Sequence, residues 1–78
     1  MAKYNGHRSW NAWNVSLWIN NDAGLYQFAK ECLECFTTRK IAAEEFVDCM
    51  RVQFNMPKTP DGAPYTVTSV YEAMEGID

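Results

Sequence analysis

Residues 22–36 read DAGLYQFAKECLECF, and this stretch decides the fold class. Leu25, Phe28, Ala29, Cys32 and Phe36 follow one another at spacings of three and four, the interval that stacks side chains on one face of an α-helix. Gln27, Lys30, Glu31 and Glu34 take much of the opposite side, so the segment is apolar on one face and wet on the other. Asp22 is a candidate N-cap, because its carboxylate accepts one of the amide hydrogens that the first helical turn leaves unpaired. The spacing predicts a helix over 23–36.

Upstream, positions 10, 12, 13, 15, 17, 18 and 19 are all apolar. Trp10, Trp13 and Leu17 share one helical face with Trp18 beside it, which predicts a helix over 10–20 with Trp13 in the core. Asn20-Asn21-Asp22 stops it, since short polar side chains compete for backbone hydrogen bonds. Downstream, Ala43, Val47, Met50 and Phe54 form a face flanked by Phe46, while Glu44, Glu45, Asp48 and Arg51 point away. A helix over 40–54 follows, with Thr37 and Thr38 as caps and Pro57 closing its exit.

Lys58-Thr59-Pro60-Asp61-Gly62 is a turn, because Pro fixes φ, Asp bonds its own backbone and Gly tolerates positive φ. Residues 65–68 read as an extended lead-in. Ser69 and Glu72 have capping-box spacing, and a short helix over 69–75 carries Val70, Tyr71 and Met74 before Gly76 ends it. The expected fold is all-α, a small bundle of three to four short helices, in a single domain over 1–78.

A chain of 78 residues hides only roughly 60–65% of its unfolded surface on folding, so large side chains must supply the core. Three Trp, four Phe and four Tyr do so, each aromatic removing roughly 150–250 Å² from water. A homodimer sharing aromatic surface stays open on these grounds.

The formal charge of −3 and the scatter of basic residues disfavour a general nucleic-acid binder, which needs a basic patch against phosphate. They suit contact with a basic protein surface. No run approaches the roughly 18 apolar residues of a membrane span. The opening Met1-Ala2-Lys3-Tyr4-Asn5-Gly6 leads into polar residues and not an apolar signal core, so a cytoplasmic location is expected. The odd cysteine count agrees, because three thiols cannot all pair within one chain.

Cys32 and Cys35 form a C-x-x-C pair, and with Cys49 and His7 they make four potential zinc ligands. Redox chemistry needs such a pair at a helix N-terminus, where free amides stabilise a thiolate. These two fall about ten residues into a helix pattern. Structural zinc usually brings two closely spaced ligand pairs, and here Cys49 and His7 are each solitary. The expectation is buried or half-buried thiols, no metal and no cofactor, with a cysteine-based metal or redox protein as a trailing alternative. Glu44 and Glu45 point in different directions around their helix, so they do not form an opposed catalytic carboxylate pair. No phosphate-binding glycine loop is present.

Tyr4-Asn5-Gly6-His7-Arg8-Ser9, then Trp13-Asn14-Val15, then Leu17-Trp18-Ile19-Asn20-Asn21-Asp22 and Gly24-Leu25-Tyr26 resemble a family of small proteins of phages and their bacterial hosts. The likeness covers residues 4–26, and Ala12 stands where that family often carries Thr. It implies a phage accessory setting and transfers no catalytic residue. Small acidic phage proteins of this size often inhibit host defence, either restriction or CRISPR surveillance complexes. The expectation is therefore a non-enzymatic protein that binds and inhibits a host defence nuclease or surveillance complex. Its candidate anchors are Trp10, Trp18 and Tyr26, with Arg8 as polar companion, because docking energy concentrates in aromatic and Arg side chains. The alternative is a small nucleic-acid-associated regulator that gathers Arg8, Arg39, Lys40 and Arg51 beside an exposed aromatic.

Overall fold

The structure, a computed structural model, describes residues 9–77. Four helices follow one another: α1 (Trp10–Asn21), α2 (Ala23–Cys35), α3 (Arg39–Val52) and α4 (Val67–Met74). The all-α bundle is as the helical spacings predict. Among the described residues there is no strand, only an isolated bridge between Lys58 and Pro64. None of these helices is long and apolar enough to cross a membrane.

Each helix starts on a side-chain cap. Ser9 Oγ accepts from Ala12 N at 3.1 Å, Asp22 Oδ1 from Leu25 N at 3.0 Å, and Thr38 Oγ1 from Ile41 N at 3.1 Å. Asp22 also ends α1, donating its own N–H to the Trp18 carbonyl at 2.9 Å. One residue therefore makes the corner between two helices.

α4 corrects the reading of residues 65–68. Its capping box is Thr66 with Ser69, in which Ser69 N donates to Thr66 Oγ1 and Thr66 N donates to Ser69 Oγ. Val67 and Thr68 thus form the first helical turn, and Tyr65 is a buried core residue. The β-branched run looked extended, but the two hydroxyls satisfy the orphan amides of a helix start.

The helices close into a ring. α1 packs on α2 and α4, and α3 packs on the same two, while α2 and α4 meet only briefly. The core fills the centre, with Phe46 buried among Val15, Ile19, Met50, Val70 and Met74. α1 turns a different face inward from the one expected. Ala12, Val15 and Ile19 are buried along with Asn14, whereas Trp10 and Leu17 are exposed and Trp13 and Trp18 are half-buried. The indoles therefore lie toward the flanks of the ring and not at its centre. Phe54 is a second correction, lying past the end of α3 and half exposed.

Candidate functional site

The connection from α3 to α4 begins by folding back on the helix it leaves. Phe54 N donates to the Cys49 carbonyl and Met56 N to the Met50 carbonyl, at 3.0 and 2.7 Å. Asn55 between them has φ +52°, a left-handed conformation that Asn tolerates better than most residues. This reversal leaves Phe54 50% and Met56 48% exposed, next to Val52 at 71%.

Beyond Pro57 the turn forms where the sequence places it, with Gly62 at φ +97° and its N–H donating to the Thr59 carbonyl at 2.8 Å. Four side chains then fasten it to α1. Thr59 Oγ1 accepts from Ala63 N at 3.0 Å and donates to Asn14 Oδ1 at 2.6 Å. Asn14 Nδ2 and Trp18 Nε1 both donate to Asp61 Oδ2 at 2.9 Å. The Asn14 amide, aided by the Trp18 indole, holds the Asp61 carboxyl below its ordinary pKa. Asn14 is 1% exposed, so its amide needs partners inside the protein, and the loop supplies them.

Between α2 and this connection lies a groove of about 310 Å³. Its walls are Leu25, Phe28, Met50, Phe54, Met56 and Pro60, with Trp18 and Asp22 at the α1 side and Tyr65 also lining it. A chain of rings carries the core out to its edge. Phe46 packs on Tyr65 at 5.9 Å and on Phe28 at 5.1 Å, and Phe28 meets Phe54 edge-on at 5.6 Å. Phe54 is thus exposed yet positioned. The Tyr65 hydroxyl is buried and has no hydrogen-bond partner among the described residues. Burial, and secondarily the charge of Asp22, raises its pKa.

Of the candidate anchors, Trp18 lines the groove. Trp10 is exposed at the opposite end of α1, and Tyr26 is half-buried against the core. Arg8 lies outside the described residues, as does His7. Phe28, on the apolar face of α2, packs on the core from the groove side. Sequence spacing missed Phe54 and Met56 as surface residues, because α3 ends two residues before the first of them. It also missed the partners of Asn14, which is one of four Asn in α1 and carries no local mark to single it out as the buried one.

The cysteines differ in exposure: Cys32 is buried, Cys49 half-buried and Cys35 exposed at the end of α2. Burial pushes the Cys32 thiol up to about 11, with Cys49 adding to the effect, so it stays protonated at neutral pH. Among the described residues no three His, Cys, Asp or Glu side chains stand together as a metal site. Among the described residues, the basic side chains of the nucleic-acid alternative do not gather. Arg39 and Lys40 open α3 and Arg51 nearly closes it, about 18 Å apart at 1.5 Å per residue. Arg39 is already stacked 4.0 Å above the Tyr71 ring.

Residues 1–77 match a family of unknown function (DUF7249), and the chain belongs to that family. No curated protein and no solved structure matches it.

Proposed function

With a family of unknown function as the starting point, we propose that the chain is a non-enzymatic binding protein that inhibits by docking on a partner protein through the groove between α2 and the α3–α4 connection. The partner class is a host defence nuclease or CRISPR surveillance complex in a bacterial cytoplasm, a setting that rests on the phage-like likeness of residues 4–26. The observation that carries the docking reading is the pair Phe54 and Met56, each about half exposed at the mouth of an apolar groove. Contiguous apolar surface on a small protein commonly marks a binding site, and large apolar anchors carry most of the energy of such contacts. The anchor set is accordingly Trp18, Phe54 and Met56. Trp10, Tyr26 and Arg8 remain separate candidates, away from or outside this groove.

The test is affinity capture from host lysate by the full chain, with and without added nuclease, compared with Phe54→Ser and Met56→Ser. Each substitution is expected to shift stability by no more than about 1 kcal/mol, since the side chains are half exposed and Phe54 loses one edge-on ring contact. Each is expected to weaken the captured complex about thirtyfold, the equivalent of about 2 kcal/mol. A partner retained equally by both variants would remove the groove from consideration. A partner released by nuclease would favour the nucleic-acid reading.

A further inference from the structure

We infer that the groove takes an arginine-bearing segment of a partner protein, one apolar side chain filling the cleft and a neighbouring guanidinium lying over Trp18 between Asp22 and Asp61. The inference rests on the docking reading above and names the chemistry of what docks.

Charge at the rim carries the argument. Trp18 and Asp22 stand one helical turn apart at the end of α1 and both line the groove, while Asp61 is bonded to the Trp18 indole. The indole therefore has two carboxylates as neighbours. Neither carboxylate forms an ion pair among the described residues. Each commits one oxygen to the fold, Asp22 Oδ1 to the Leu25 amide and Asp61 Oδ2 to Asn14 and Trp18. The second oxygen of each is left for an incoming donor. Two fixed anions beside an apolar cleft attract a cation that carries apolar surface with it.

Tyr65 supplies an independent observation. It lines the same groove, is 3% exposed, and its hydroxyl has no partner. Buried polar atoms in folded proteins are nearly always hydrogen-bonded. Asp22 lines the same groove, so a donor that enters there to meet Asp22 also enters the cleft that holds an unpartnered hydroxyl. Arginine fits better than lysine because its planar fork reaches several acceptors at once and its face stacks on an indole.

The test is selection of a random dodecapeptide library on the full chain, followed by calorimetry of the most enriched peptide. The enriched sequences are expected to place Arg within four positions of Leu, Met, Phe or Trp. The peptide should shift the Trp18 indole N–H resonance, weaken with added salt, and bind at least about tenfold less tightly when its Arg is changed to Gln. The same loss is expected on the double variant Asp22→Asn, Asp61→Asn. Those replacements keep the fold, since Asn caps a helix as well as Asp and its carbonyl still accepts from Asn14 and Trp18. Selection of no peptide, of peptides without Arg, or of peptides indifferent to the double variant would overturn the inference. Arg-free peptides that shift the Trp18 indole and fail on Phe54→Ser would leave the docking reading standing alone. Peptides indifferent to Phe54→Ser would sink both. Concentration-dependent dimerisation that masks the Trp18 indole would assign the groove to a second copy instead.

Discussion

From Gln53 to Met56 the connection between α3 and α4 turns large apolar side chains toward solvent, whereas from Lys58 to Tyr65 the same connection is tied to α1 by side-chain hydrogen bonds. The first half is held by backbone bonds to its own helix end, and Tyr65 N reaches back to the Pro57 carbonyl to close the second. Cohesion and exposure are thus separated along a single connection. Its polar half fixes where the loop stands, and its apolar half can present Phe54 and Met56 without the fold depending on them.

The sharpest way to break this contrast is Asn14→Ala. It removes the donor to Asp61 and the acceptor of Thr59 together, leaving a buried hydroxyl that still accepts from Ala63 N but has no acceptor for its own hydrogen. Each buried group left unpaired costs about 1–3 kcal/mol, and a loss of about 2–3 kcal/mol is expected here, read as a melting temperature lower by roughly 10–20 °C. A melt indistinguishable from the parent would show that the loop is held by packing alone. Phe54→Ser and Met56→Ser test the other half, as a large loss of binding with small change in the melt. Next in size, Trp18→Phe deletes the indole donor while keeping an aromatic ring, and is expected to cost about 1 kcal/mol.

The smallest effect is one of pH. Asn14 and Trp18 hold folded Asp61 below its ordinary pKa, so the folded chain releases that proton more readily than the unfolded one. The stabilisation is complete above about pH 4 and is lost as pH falls from there through the lowered value. Asp61→Asn should flatten the acid limb of a stability–pH curve below about pH 4 relative to the parent. An unchanged limb would mean that the carboxylate charge adds nothing to the fastening.

α2 and α3 were legible because their polar and apolar positions alternate with helical period, and the caps at Asp22 and Thr38 sit where that period begins. α1 was legible as a helix but not in orientation. It is apolar nearly all round, so spacing has no direction to report, and large indoles drew the reading away from Ala12, Val15 and Ile19. The start of α4 was hidden because Thr66 and Val67 suit a strand as readily as a first helical turn, and only the bond to Ser69 decides. The groove was least legible. Asn14 and Asp61 are 47 positions apart, and no local pattern pairs residues at that distance. Trp18 was marked for its size, and its place between fastening and groove came from the fold.

That separation of 47 positions also bears on the order of events as the chain folds. Closing so long a loop costs entropy that grows with its length, and contacts remote in sequence are repaid only after local ones have formed. The three-way junction of Asn14, Trp18 and Asp61 is thus expected to close after the helices have collapsed around Phe46. Asn14→Ala should then leave the refolding rate nearly unchanged and express most of its effect as faster unfolding. The junction would act as a latch on the finished protein, governing how long it stays shut.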